Sequence, residues 1–139
     1  MTDIKKAIVW GDSVARGVVY DDSRARYVLS KSSAVKLVSD ALGIEIINRS
    51  RMGMTANEGL DMLKRDISSG MSADIAIIEF GGNDCDFDWR SISETPHDVH
   101  LPRTTAEVFE NKMKMMISEV RAAGMRPYLV TLPDRKSVV

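Results

Sequence analysis

Ala73-Asp74-Ile75-Ala76-Ile77-Ile78-Glu79-Phe80-Gly81-Gly82-Asn83-Asp84 is the stretch that decides how this chain is read. From Ala73 to Phe80 it is nearly continuous in apolar residues. A strand with one wet face alternates apolar and polar residues, whereas one covered on both faces does not need to, and that is the habit of parallel sheets. The stretch therefore predicts a buried parallel strand that ends at Gly81-Gly82.

The pattern continues upstream. Thr55-Ala56-Asn57-Glu58 has the spacing of a capping box, in which a hydroxyl and a carboxylate satisfy the free N–H groups at a helix start. Ala56, Leu60, Leu63 and Ile67 then fall on one helical stripe, which Gly70 ends. Ile44 to Asn48 reads as a strand. A helix is expected from about Ser33 to Leu42, with Val35, Val38 and Leu42 on one face and Gly43 as its stop. Ile4 to Trp10 is a first strand, ended by Gly11. Residues Val18 to Lys31, with Asp21-Asp22 and scattered Arg24 and Arg26, read as loop with at most some helix.

Downstream, Gly81 to Arg103 forms a long, acidic, Pro-containing loop. Thr104-Thr105-Ala106-Glu107 has the spacing of a second capping box. It opens a helix whose stripe is Phe109, Met113, Met116, Ile117 and Val120. The methionines on that stripe suit core filling. Gly124 stops the helix, and Pro127 to Leu132 is a fourth strand. Strand and helix thus alternate throughout. The expected class is α/β, a three-layer α/β/α sandwich with a parallel sheet and helices on both faces, in one domain over residues 1–139.

Composition narrows the function. Lys and Arg number 19 against 20 Asp and Glu, a net charge of −1, so nothing marks the chain for nucleic acid or a membrane surface. The single Cys85 excludes an internal disulfide and fits a reducing compartment. The apolar run Ala7 to Trp10 is too short for a signal-peptide core or a membrane span. A cytoplasmic location is expected.

In parallel sheets, chemistry gathers at the carboxyl ends of the strands. After the first strand come Gly11-Asp12-Ser13-Val14-Ala15-Arg16-Gly17. After the second come Asn48-Arg49-Ser50-Arg51-Met52-Gly53-Met54-Thr55, and after the third Gly81-Gly82-Asn83-Asp84. Ser13 is a candidate nucleophile, Gly53 offers a bare backbone N–H, and Asn83 offers a side-chain amide. These are the parts of an acyl-transfer site: an attacking hydroxyl and donors aimed at a developing oxyanion. Each also has a plainer reading. Ser13 is a natural helix cap, Gly53 a turn glycine, Asp12 and Asn83 residues that bond their own turns.

The three blocks GDSV at Ser13, NRSRMGMTA around Gly53, and GGND at Asn83 stand in order, each after an expected strand. In this the chain resembles the SGNH hydrolases, also called GDSL esterases and lipases. The resemblance implies a flavodoxin-like sheet ordered 2-1-3-4 and a serine esterase or acylhydrolase acting on an ester or related acyl bond. It implies Ser13 as nucleophile, and an oxyanion hole of the Ser13 and Gly53 N–H groups with the Asn83 side chain. Asp12 takes a supporting role beside Ser13. A small-molecule or carbohydrate-borne acyl ester is the expected substrate, with no cofactor and no metal. The rival reading is a catalytically incomplete acyl- or anion-binding module of the same fold.

One family block is missing. An Asp-x-x-His motif would follow a fifth strand, but Pro133-Asp134-Arg135-Lys136-Ser137-Val138-Val139 holds no His. The chain therefore reads as a C-terminally incomplete member. The histidines, His97 and His100, lie in the long loop; one of them replaces the missing base, or neither does. His100 and Trp89 are carried as candidate substrate-binding residues. Trp89, Phe87 and Leu101 either line an acyl or sugar pocket or pin the loop to the body. Asp84-Cys85-Asp86-Phe87-Asp88 lacks the glycine and glutamate of a calcium loop, with Trp89 and Thr95 in their places. His97-Asp98-Val99-His100 is a weak metal pattern, and Cys85 reads as a semi-buried thiol. Without a fifth strand the fourth is a sheet edge, and a homodimer through that exposed edge is expected.

Overall fold

A computed structural model describes residues 3–132. Along the chain the elements are β1 (Lys6–Gly11), α1 (Ser13–Arg16), β2 (Val18–Asp21), β3 (Arg26–Leu29), α2 (Ala34–Leu42), β4 (Glu45–Asn48), α3 (Ala56–Ser68), β5 (Ile75–Glu79), α4 (Trp89–Glu94), α5 (Ala106–Ala122) and β6 (Arg126–Leu129). The central sheet is ordered β4-β1-β5-β6, and all its pairings are parallel. This is the 2-1-3-4 order implied by the resemblance, within an α/β fold of three layers. The tail from Pro133 to Val139, read above as lacking the His block, lies outside the described residues.

Side chains alternate across the sheet, so each strand feeds two layers. Ile8 and Trp10 of β1 and Ala76 and Ile78 of β5 meet Leu60 and Leu63 of α3 and Met116 and Val120 of α5 in one buried cluster. Burying each such side chain contributes about 1.5–3 kcal/mol, so this face carries most of the apolar stabilisation. A polar group is set into it. Trp10 Nε1 donates to Asp66 at 2.9 Å, and Arg49 grips the same carboxylate through Nε and Nη2, each at 2.8 Å. Burial opposes ionisation of Asp66, but the bonds from Arg49 and Trp10 outweigh it and hold the carboxyl below its usual range.

The opposite face carries α1 and α2 and is less completely clad. Ser33 caps α2, its hydroxyl accepting from the Lys36 N–H, and Gly43 ends it in the left-handed conformation, as the sequence predicts. No residue of α2 is buried, and Val38 and Leu42 of its apolar face remain substantially exposed. Val35 and Val38 face Val9, Ile77 and Val130 across an apolar cleft of about 310 Å³.

Two expectations are corrected. Residues 18–31 are not a loop with some helix but contain an antiparallel hairpin, β2 against β3. Tyr20 packs edge-on against Tyr27 and the Asp21 carboxylate orders the turn by accepting from Ser23 and Arg24. Val18-Val19-Tyr20 and Tyr27-Val28-Leu29 are rich in β-formers, but both strands lie largely exposed and so lack an apolar–polar alternation. The second capping box is also displaced. Thr105, not Thr104, caps α5 by accepting from the Val108 N–H, because the Thr104 N–H is already bound to the Asp84 carbonyl at 2.9 Å. Glu107 therefore sits one position too early to reach back to the cap. None of the described helices is long and apolar enough to cross a membrane.

Candidate active site

The site is built where β1, β4 and β5 end side by side. Gly11 closes β1 in a space no side chain fits. A Cβ there would stand 2.8 Å from the Glu79 carbonyl oxygen and 2.8 Å from Ala15 Cβ. The chain then turns sharply into α1. Asp12 is the helix cap, its Oδ1 accepting from the Val14 N–H at 2.8 Å. Ser13 is the first helical residue and is half-buried. The capping role that the sequence offers Ser13 thus belongs to Asp12. The Ser13 N–H, at the first position of a helix, has no acceptor within it.

The second strand end is tied to the first by its backbone. Asn48 Nδ2 donates to the Ala15 carbonyl at 2.9 Å, and the Arg51 N–H donates to the Gly11 carbonyl at 3.0 Å. Gly53 follows in an exposed turn with φ +76°, a conformation that favours glycine. The third strand end closes the group. Asn83 Nδ2 donates to the Met54 carbonyl at 3.0 Å and reaches Asp12 Oδ2 at 3.5 Å. Asp84, buried behind it, accepts from the Ala56 N–H with both oxygens at 3.0 Å, fixing the loop to the start of α3. There Glu58 reaches back to the Thr55 N–H at 2.8 Å, which draws its own carboxyl below the usual range.

Beneath Ser13 lies a group that the sequence reading passed over. Glu79 is 4% exposed. Its Oε2 accepts from the Asp12 and Ala15 N–H groups at 3.3 Å each, while Oε1 is buried without a partner. Burial first, and then the charge of the Asp12 carboxylate, push its carboxyl up to about 7, against the pull of the two N–H bonds. The available signal was a single acidic residue inside an otherwise apolar strand.

The other expected residues fall into two groups. Trp89 lines a cavity of about 350 Å³ together with Asp12, Val14, Cys85 and Leu132. Its indole N–H donates to Asp86 at 2.9 Å. Cys85 is exposed rather than semi-buried. His100 stands apart from that cavity, with Nε2 2.8 Å from the Thr95 carbonyl within the same loop. Among the described residues no imidazole bonds to Ser13, and no three His, Cys, Asp or Glu side chains gather as a metal site would need.

The family described as GDSL-like Lipase/Acylhydrolase matches residues 8–137. The chain belongs to this family. Several solved structures share its fold. TesA aligns with a TM-score of 0.65 at 22% identity, over 93% of this chain and 62% of TesA. The lipase/acylhydrolase from Enterococcus faecalis aligns at 0.63 and 24%, over 94% and 58%. AlinE4, an SGNH-hydrolase family esterase, aligns at 0.65 and 20%, over 99% and 64%. This GDSL-like chain therefore spans about three-fifths of the length of those structures. No curated protein matches it in sequence.

Proposed function

We propose that this protein is a serine esterase or acylhydrolase in which Ser13 attacks the ester carbonyl. The oxyanion that forms rests on the Ser13 and Gly53 N–H groups and the Asn83 amide. The observation that carries this reading is the double reach of Asn83, to the Met54 carbonyl beside Gly53 and to the Asp12 carboxylate beside Ser13. One side chain thereby draws the glycine turn and the serine turn to one hollow. Its 3.5 Å contact with Asp12 is long for a hydrogen bond and is readily exchanged for an oxyanion. Asp12 orients the turn, and Trp89 walls one side of the adjoining cavity. The substrate we propose is a small or carbohydrate-borne acyl ester.

A fluorophosphonate probe tests the assignment. It labels Ser13 in the wild type and leaves Ser13→Ala unlabelled; labelling at another residue, or equal labelling of the variant, overturns it. The rival reading is an acyl- or anion-binding module of the same fold, whose strand-end donors hold the group without turnover. In that case p-nitrophenyl acetate turnover does not exceed the Ser13→Ala level.

We also place the protein in the cytoplasm, on its single cysteine, and as a homodimer through β6. Among the described residues that strand is a sheet edge, with Tyr128 and Leu129 about half exposed. A monomer by light scattering at high concentration refutes the dimer.

A further inference from the structure

A second cavity, of about 510 Å³, lies on the other side of the Ser13 turn, under the β2–β3 hairpin. Its walls carry Arg16, Arg49, Arg51 and Tyr27, and its floor includes Ser50. No carboxylate is among its lining residues. Arg49 is committed to Asp66 through two bonds. Among the described residues Arg16 and Arg51 are in no ion pair, although the charge of Arg51 is felt at Asp66. Ser50 is fully buried, and its hydroxyl has no hydrogen-bond partner. A buried hydroxyl left unpaired is uncommon and asks for a ligand or a water.

The cavity is joined to the candidate site by covalent geometry. Ser13 and Arg16 are three residues apart in α1, so they share a helix face with Cβ atoms about 5–6 Å apart. Arg51 is anchored by its N–H to the Gly11 carbonyl and is followed directly by the Met52-Gly53 turn. Two uncommitted guanidinium groups therefore bracket the nucleophile turn and the glycine turn from the hairpin side. Planar guanidinium forks match carboxylate and phosphate oxygens in pairs, and such charge-assisted bonds are the stronger class.

We propose that this cavity is an anion subsite in which Arg16 and Arg51 hold a carboxylate or phosphate group carried by the ester that Ser13 attacks. Its place in the reaction rests on the hydrolase reading above, whereas the binding of an anion there does not. The two cavities then take the two halves of one substrate, the charged half under the hairpin and the other half beside Trp89.

The test reads binding without turnover. Isotope-labelled protein is titrated at constant ionic strength with inorganic phosphate, with succinate, and with succinamide as the neutral counterpart, and amide shifts are followed by NMR. Both anions are expected to move the amides of Arg16, Ser50 and Arg51 saturably, while succinamide does not. Arg16→Gln and Arg51→Gln, both at exposed positions, each weaken phosphate binding by about tenfold, the loss of one charge-assisted contact. The proposal is overturned if no anion gives a saturable shift, if succinamide acts equally, or if the Arg16→Gln/Arg51→Gln double variant binds phosphate as the wild type does. Failure of the hydrolase reading shows elsewhere, as probe labelling unchanged in Ser13→Ala, and leaves the phosphate titration where it was.

Discussion

Replacing Glu79 by glutamine should make the protein more stable at neutral and alkaline pH and leave it nearly unchanged in mild acid. The carboxyl of Glu79 has an ordinary value of 4.5 and is pushed up to about 7 in the folded protein by burial and by Asp12. The folded state therefore binds this proton more tightly than the unfolded state does. Below the unfolded value both states are protonated and nothing is lost. As pH rises through the folded value, the folded protein must ionise a buried group that the unfolded chain ionises freely, so stability falls. At 1.36 kcal/mol per pH unit, the gap from 4.5 to about 7 corresponds to about 3 kcal/mol by about pH 8. Glutamine keeps an acceptor for the Asp12 and Ala15 N–H groups, carries no charge, and places a donor beside the Asp12 carboxylate. Urea unfolding of wild type and Glu79→Gln between about pH 5 and pH 8 measures the difference. The curves should nearly meet at the acid end, and the variant should lead by up to about 3 kcal/mol at the other. Titrations common to both proteins cancel in the comparison. Parallel curves, or a wild type that gains on the variant as pH rises, would refute the assignment of a raised carboxyl.

Asp66→Ala leaves the Trp10 indole N–H buried without an acceptor and Arg49 without its partner. It should lower unfolding stability by about 1–3 kcal/mol or more, and Asp66→Asn by less because an acceptor remains. Asp84→Ala strips the Ala56 N–H of both its acceptors at the buried start of α3, with an expected loss of about 1–3 kcal/mol in the same measurement. Asn83→Asp exchanges a donor for a third carboxylate beside Asp12 and Glu79. Its stability should fall with rising pH more steeply than that of Asn83→Ala, which carries no charge; equal slopes in urea titrations across pH would count against the close approach of Asn83 to Asp12.

The parts of the fold legible in the sequence are those fixed by local chemistry or by burial on both sides. Ile75 to Ile78 sits between two layers, and its unbroken apolar run says so. Thr55 with Glu58, and Ser33 with Gly43, announce helix ends through groups a few residues apart. What could not be read depended on contacts made at a distance. The hairpin from Val18 to Leu29 is held by its own pairing with little burial, so no alternation betrays it. Thr105 displaces Thr104 as a cap because of a bond to Asp84, some twenty residues upstream. At the candidate site, Ser13, Gly53 and Asn83 are legible as candidates because each follows a strand. Glu79, Asn48 and Arg51 are not, because their work is to join neighbouring strand ends, and strand adjacency is a property of the sheet rather than of any one segment.

The electrostatic character of the site follows from that same adjacency. The serine turn is flanked by two cavities of opposite sign. Asp12 and Asp86 line the one that holds Trp89, while Arg16 and Arg51 line the one under the hairpin without a carboxylate to offset them. An anion entering at the Trp89 side meets like charge, and one entering under the hairpin meets two free guanidinium groups. Orientation is therefore selected by repulsion on one side as well as by attraction on the other, which discriminates more sharply than either alone. Because these arginines are exposed, the selection should weaken as salt shortens the Debye length from about 10 Å at 0.1 M to about 3 Å at 1 M. The backbone donors of Ser13 and Gly53, fixed by sheet register rather than by charge, should be indifferent to the same change. Salt dependence thus separates the two halves of the arrangement: what moves with ionic strength belongs to the arginines, and what does not belongs to the strand ends.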